Sequence, residues 1–352
     1  MHASGAMAGH GQRPGNQPVP QPNPDGENTV SLLSIVVPTY NEEENLAEFE
    51  SRTRTVCEQL EVAYEIVFVN DGSSDGTLPV IRELQQKNAN ITIVNLSRNF
   101  GKEIALAAGL DNTTGDAVAI LDADLQDPPE LLVDLLAKWK EGYDVVYAQR
   151  EARDGETWFK KKSAEGFYKV MQWIGPVRIP SNTGDCRLMS RKVVDELGRL
   201  REHHRFMKGL FAWVGFNAAA VTYRRAPRYA GKSKWNYWKL WNLSLEAITS
   251  FTTLPLRITF YVGALIAGFA FLFGLIILAR TLIFGDPVRG FPALAVTVLF
   301  LGGGQLFALG LIGEYLGRVF NETKGRPLYV VDRIERAKRQ RANAPVAKRS
   351  AA

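Results

Sequence analysis

Residues 122–130 read DADLQDPPE and follow the apolar run 117–121 directly. Asp122 and Asp124 stand one residue apart where a strand would end. Alternate residues of an extended chain point the same way, so these two carboxylates, with Gln126 in the same phase, can meet one hard divalent cation. Asp127, followed by two prolines and Glu130, reads instead as a helix start with proline in the first turn. A divalent cation held this way suits a reaction in which a diphosphate leaves: the metal neutralises the departing charge while the reacting carbon becomes cationic. That chemistry points to glycosyl transfer from a nucleotide-sugar.

The elements that must position these groups follow from the apolar pattern. Strand-like runs occur at 33–39, 65–70, 91–95, 117–121 and 145–148, and the intervals 43–59, 78–87, 102–111 and 129–141 read as helices. Such alternation predicts an α/β domain with a mostly parallel sheet. Ligands of such sheets sit at the carboxyl ends of the strands. The polar segments PTYNEEEN, NDGSSDGT, SRNFGK and DADLQDPPE all fall there, after the first four strands. Asp71, at the end of the second, can accept a hydrogen bond from a base, and Ser74 or Asp75 would cap the following helix. Basic residues further along would hold an anionic acceptor.

The rest of the chain suggests a membrane. Residues 258–279 and 292–313 are two stretches of 22 residues without a charge, each about 33 Å as a helix and enough for a hydrocarbon core of about 30 Å. Arg280 and Arg289 lie in the short connection between them. From residue 317 onward there are ten Lys/Arg against three Asp/Glu, so the positive-inside rule puts both termini in the cytoplasm. Trp235, Trp238, Trp241, Leu245 and Ile248 form a helical apolar stripe suited to the headgroup layer. Residues 302–304, all glycine, and Gln305 within the second stretch suit close helix packing. Cys57 and Cys186 are the only cysteines; no zinc-site or disulfide spacing exists, and reduced thiols are expected. A basic tail on a near-neutral body favours an anionic surface over nucleic acid. The divisions read as a disordered leader at 1–30, a catalytic domain at 31–230, juxtamembrane interfacial helices at 231–257, a membrane hairpin at 258–316 and a basic tail at 317–352.

The segments SIVVPTYNEEENL, IVFVNDGSSDGT, DADLQDPPE, NTGDCRLMSRKVV and GKSKW together resemble the family 2 glycosyltransferases of GT-A fold that charge polyprenyl phosphates, the group containing dolichol-phosphate mannose synthase. RNFGKEIALAAGLD, FMKGLFAWVG, FGDPVRGFPAL, LFLGGGQ and ETKGRPLYVV are similar to bacterial bactoprenol (undecaprenyl-phosphate) glucosyltransferases. The likeness covers roughly residues 31–332. It implies that Pro38, Tyr40, Glu42, Asp71 and Lys102 hold the nucleotide-sugar, with Asp122 on its ribose-phosphate side and Asp124 and Gln126 on the metal. It implies Arg150, Lys161, Lys162, Ser163, Arg228, Lys232 and Lys234 at the acceptor phosphate, with Arg228 near both phosphates. Asp185 matches the family's Gly-Asp element and either acts as a base or orients the donor. A phosphate monoester is already anionic at pH 7, so orientation is the role expected first.

The resulting expectation is an inverting, Mg²⁺- or Mn²⁺-dependent transfer of glucose from UDP-glucose to undecaprenyl or another polyprenyl phosphate, catalysed by a homo-oligomer at the cytoplasmic face of the bacterial inner membrane. The competing expectations are the same reaction with GDP-mannose or a UDP-amino-arabinose donor, and a silent nucleotide-binding membrane scaffold. A processive polysaccharide synthase is disfavoured, because no Q-x-x-R-W motif is present and two spans make a poor export channel.

Overall fold

The computed structural model describes residues 28–151, 180, 182–203, 205–224, 254–284 and 290–336. In chain order these form β1 (Leu33–Thr39), α1 (Leu46–Gln59), β2 (Tyr64–Asn70), α2 (Thr77–Lys87), β3 (Ile91–Leu96), α3 (Lys102–Asp111), β4 (Ala117–Ile120), α4 (Leu131–Lys140), β5 (Val145–Arg150), β6 (Thr183–Ser190), α5 (Arg191–Arg199), α6 (Met207–Trp213), β7 (Ala218–Tyr223), α7 (Leu254–Phe284), α8 (Phe291–Thr323) and β8 (Val331–Arg336).

The eight strands make one sheet in the order β7-β5-β6-β4-β1-β2-β3-β8. β1 runs parallel to β2 and β4, β2 to β3, and β5 to β7. Antiparallel pairs join β4 to β6, β5 to β6 and β3 to β8. The sheet is therefore mixed but mostly parallel in strand direction, with β6 and β8 alone entering against the other six strands. Alternation along β1 makes the layers. Leu33, Ile35 and Val37 pack with Phe49, Val56, Ile81 and Leu132 on the face covered by α1, α2 and α4. Val36 turns to the other face, where Leu106, Val193 and Met207 bring in α3, α5 and α6. All of these side chains are buried, so each helix is fixed by its apolar stripe.

This topology determines where a ligand goes. The order β4-β1-β2-β3 reverses beside β1, the kind of switch point at whose carboxyl edge ligands of such sheets sit. The antiparallel β6 begins at the same edge. Its register runs from Ala117↔Ser190 to Ile120↔Arg187. Two further steps along that register set residue 122 opposite residue 185.

The segment read as a tail also contributes structure. β8 pairs with β3, Arg82 holds Glu335 at 2.5 Å, and Tyr329 donates to Asp111 at 2.6 Å. The charged residues of β8 suit an edge strand, whose outer face would otherwise recruit another chain. α7 and α8 are 31 and 33 residues long, about 46 and 50 Å at 1.5 Å per residue. Several side chains along both lie outside the described set, and no helix of the described residues alone is long and apolar enough to cross a membrane. Phe260, Tyr261, Phe269 and Phe271 on α7, and Phe300, Leu306 and Phe307 on α8, are exposed. The Trp235–Ile248 stripe expected in the headgroup layer lies outside the described residues.

Candidate active site

Three loops and one strand end meet at this carboxyl edge. Along the loop after β4, Ala123, Leu125 and Asp127 are buried, whereas Asp122, Asp124 and Gln126 are partly exposed. The expected alternation is therefore present, with the three candidate ligands on the open side. Leu125 holds a φ of 59°, an outlying conformation for a bulky residue that costs roughly 1–3 kcal/mol and persists only where its surroundings dictate it. Burial of the Leu125 side chain supplies that constraint. The Asp124 carboxylate is further oriented by the Gln126 backbone N–H, which donates to its Oδ1 at 3.1 Å.

Lys102 is the centre of the arrangement. Its ammonium donates to Asp122 Oδ2 at 2.8 Å and to Asp185 Oδ2 at 2.6 Å, joining two residues that β4 and β6 bring face to face. It is the first residue of α3, and Asp71 fixes the start of that helix. The Asp71 Oδ1 accepts the Phe100 N–H at 2.7 Å and its Oδ2 accepts the Gly101 N–H at 2.9 Å. Gly72 lets the two loops approach this closely: at φ 65°, an added Cβ would lie 2.5 Å from backbone atoms of Arg98 and Asn99. Asp71, expected at the base, thus also anchors the loop that delivers Lys102.

Asp185 is supported from behind. The Arg187 Nε donates to the Asp185 carbonyl and its Nη2 to the Gly184 carbonyl, both at 3.1 Å, while the guanidinium lies 3.5 Å from the centre of the Phe211 ring. Burial alone would raise the Asp185 pKa. The nearby Lys102 and Lys208 ammonium groups and Arg187 outweigh it and hold the carboxyl well below the usual range. Burial, with the adjoining Asp185 and Asp124 charges, pushes Asp122 upward against the pull of Lys102. One oxygen of Asp185, Oδ1, is buried with no hydrogen-bond partner among the described residues. A buried acceptor in that state costs about 1–3 kcal/mol.

Glu103, Asp127, Arg187, Lys208 and Tyr223 were not among the residues expected from the sequence. Glu103 accepts the Met207 N–H at 2.8 Å and so ties α3 to α6. Burial and the Asp185 charge push its carboxyl up to about 7. The unfolded chain ionises this group near 4.3, so its stabilising contribution is complete below that value and is lost as pH rises through about 7. We expect the melting temperature to fall between pH 5 and pH 8, and Glu103→Gln to flatten that fall; unchanged slopes in thermal unfolding scans would contradict it. Asp185 acts in the opposite sense, and its contribution is lost only in strong acid.

Asp127 corrects an expectation. α4 begins at Leu131, and the Pro128 and Pro129 carbonyls accept from Leu131 and Leu132, so the prolines do start the helix. The Asp127 carboxylate takes no part in that turn. It is buried and accepts a hydrogen bond from the Tyr223 hydroxyl. The cap expected of Ser74 or Asp75 is not made either: the N-cap of α2 is Gly76, with no side-chain cap hydrogen bond, and Asp75, one residue earlier, closes a local turn in which its Oδ1 accepts the Thr77 N–H at 3.0 Å.

Pro38 lies on β1, paired with Val69; Tyr40 is exposed just beyond the strand; and Glu42 accepts from the Asn45 side chain at 2.7 Å. These line the first loop of the same edge. Arg150 ends β5 on that edge too, and the Asp122 charge contributes to its field. Lys161, Lys162, Ser163, Arg228, Lys232 and Lys234, and Lys160 beside them, lie outside the described residues.

Residues 34–198 match the family model described as glycosyl transferase family 2. An uncharacterized glycosyltransferase of Synechocystis sp. is 54% identical over 299 residues, covering 85% of this chain and 94% of that protein. The SfII prophage-derived bactoprenol glucosyl transferase of Shigella flexneri is 48% identical over 304 residues, 86% of this chain and 98% of its own length. The prophage bactoprenol glucosyl transferase homolog of Escherichia coli is 47% identical over 304 residues, 86% and 99% respectively. Relatives of this identity, covered over nearly their whole length, together with the family-model match, settle the assignment: the chain belongs to glycosyl transferase family 2 and is a glycosyltransferase.

Proposed function

We propose that this glycosyltransferase moves glucose from UDP-glucose to undecaprenyl phosphate, or another polyprenyl phosphate, at the cytoplasmic face of the bacterial inner membrane. The observation that carries the reading is the Lys102 bridge between Asp122 and Asp185 at the switch point, with one buried Asp185 oxygen unpartnered among the described residues. Relatives named bactoprenol glucosyl transferase, aligned over nearly their whole length, support the sugar and the lipid acceptor.

The donor set fits a hard divalent cation. Among the described residues no three acidic, histidine or cysteine groups converge into a closed cage, and Mg²⁺ or Mn²⁺ with sugar nucleotides is ordinarily held by one or two carboxylates plus the phosphates themselves. Asp124 and Gln126, with Asp122 beside them, would hold it. Such an ion supplies positive charge to the leaving diphosphate.

The chain's own groups do the remainder. Pro38, Tyr40, Glu42 and Asp71 line the nucleotide side, and Lys102 presents a cation to the donor's phosphate region while holding Asp122 and Asp185 together against their mutual repulsion. Asp185 orients the sugar through Oδ1 and needs no proton from the acceptor, because a phosphate monoester is already ionised at neutral pH. Arg150 holds the acceptor phosphate, with Lys161, Lys162, Ser163, Arg228, Lys232 and Lys234 assigned to the same anion. A phosphate oxygen then bonds to the anomeric carbon as the bond to the diphosphate breaks on the opposite side, so the configuration inverts without a covalent enzyme intermediate.

The uncharged stretches 258–279 and 292–313 lie within α7 and α8. Their exposed aromatic and aliphatic side chains favour lipid as the covering phase. We assign both helices as membrane spans, with a homo-oligomer as the working unit. Two measurements test the reading. Detergent-solubilised enzyme should put labelled glucose into the organic phase only when a polyprenyl phosphate is added; label on a water-soluble acceptor instead would contradict it. In intact cells, Val288→Cys should react with a membrane-impermeant maleimide and Val330→Cys should not; the reverse pattern would overturn the orientation.

A further inference from the structure

Beyond the bridge at Lys102 lies a second polar cluster, of which the mechanism above uses Arg150 alone. Arg150 and Tyr223 are register partners at the ends of the parallel strands β5 and β7. The Arg150 Nε–H donates to the Tyr223 hydroxyl oxygen at 3.2 Å, and that hydroxyl donates onward to Asp127 Oδ1. Arg150 Nη2 lies 3.8 Å from the same carboxylate oxygen. Gly184, on β6, faces the cluster: a Cβ there would stand 3.0 Å from Asp127 Oδ2 and 3.2 Å from Arg150 Nη2.

The geometry is unusual for an arginine beside a buried aspartate. Such a pair ordinarily closes into a bidentate fork, with two parallel hydrogen bonds at about 2.8 Å. Here the tyrosine hydroxyl stands between the partners and receives Nε, so the closest approach of guanidinium and carboxylate is 3.8 Å. Asp127, 2% exposed, supplies the countercharge that lets Arg150 sit at the sheet edge. Tyr223, itself buried, keeps that countercharge from drawing the guanidinium into a closed pair.

We propose that Asp127 and Tyr223 are positioning residues that brace Arg150 for an anionic phosphate, with the Tyr223 hydroxyl acting as a spacer that prevents collapse of Arg150 onto Asp127. This rests on the assignment of Arg150 to the acceptor phosphate. The brace acts on one substrate, so its signature is a rise in the KM for the acceptor at constant donor KM. A loss of fold would lower everything together.

Full-length enzyme in detergent, assayed with UDP-glucose and undecaprenyl phosphate at varied concentrations, gives the test. Tyr223→Phe removes the spacer and should raise the acceptor KM about tenfold, the effect of losing one hydrogen bond to a charged group, with the donor KM unchanged. Adding Asp127→Asn to Tyr223→Phe removes the carboxylate that would capture Arg150 and should return the acceptor KM most of the way to wild type. Gly184→Ala, which crowds Arg150 without touching the hydroxyl, should raise the acceptor KM selectively and stands in should Tyr223→Phe not fold. If Arg150→Ala raises the acceptor KM while Tyr223→Phe and Gly184→Ala leave it alone, the brace is overturned and the acceptor assignment stands. A double variant worse than Tyr223→Phe alone also overturns the spacer. An acceptor KM unmoved by Arg150→Ala removes the assignment and the brace together.

Discussion

Replacing Lys102 with alanine lowers kcat by about 10²–10³-fold, the range seen when one preorganised electrostatic group is removed from an active site. Among the described residues, the ammonium is the one cation that joins Asp122 and Asp185, at 2.7 and 2.6 Å. Without it, two carboxylates face each other across β4 and β6 with no cation between them. One must then take up a proton or turn away. Asp185 owes its low pKa in large part to Lys102, so the acid limb of the variant's pH–rate profile should lie at higher pH than that of wild type. Lys102→Arg keeps the charge and should recover part of the rate. Steady-state kinetics at saturating donor and acceptor measure this; a wild-type kcat in the alanine variant would show that the bridge has no catalytic part.

Asp124→Ala carries the second large effect: a loss of metal-dependent turnover of about 10³-fold or more, as expected when an anionic ligand is taken from a cation that stabilises a leaving group. The side chain is partly exposed on a loop whose shape is set by the burial of Ala123, Leu125 and Asp127. Folding and membrane insertion should therefore be unaffected. Titration with Mn²⁺ should show activation shifted to higher concentration or absent. Undiminished activity across the titration would remove Asp124 from the metal. Asn in place of Asp124 retains an oxygen donor without the charge and should fall between the two.

The first half of the domain was legible because its signals are local. β1 to β4 are apolar runs, their loops are polar, and α3 occupies 102–111 as the pattern predicts. α1 begins at Leu46, three residues later than the acidic run suggested, since those side chains serve the neighbouring loop: Asn41 Oδ1 accepts the Ser74 N–H at 2.8 Å and Glu43 Oε2 accepts the Gly76 N–H at 2.6 Å. Helix-start composition was present, but its hydrogen bonds went elsewhere. β6, β7 and β8 left weaker traces. β6 carries Asp185 and Arg187 within a fully buried strand, β7 is largely alanine, and β8 is mostly charged. Their strand character comes from long-range pairing, which no short window contains.

The same division holds at the site. Asp122, Asp124 and Gln126 announce themselves by spacing. Lys102 and Asp185 belong to segments recognised through the resemblance, but their meeting depends on β6 running antiparallel beside β4. Asp127 misled because the following prolines explained it as a helix start. Its partner, Tyr223, lies 96 residues away, and only the pairing of β5 with β7 brings that hydroxyl and Arg150 together.

The central claim is transfer of glucose to a lipid phosphate, and the most direct measurement is a side-by-side assay of purified full-length enzyme with undecaprenyl phosphate and either radiolabelled UDP-glucose or radiolabelled GDP-mannose, with Mg²⁺ or Mn²⁺ present. Label should enter a mild-acid-labile lipid from UDP-glucose and not from GDP-mannose. Incorporation from GDP-mannose alone, or from neither donor into lipid, would contradict the account.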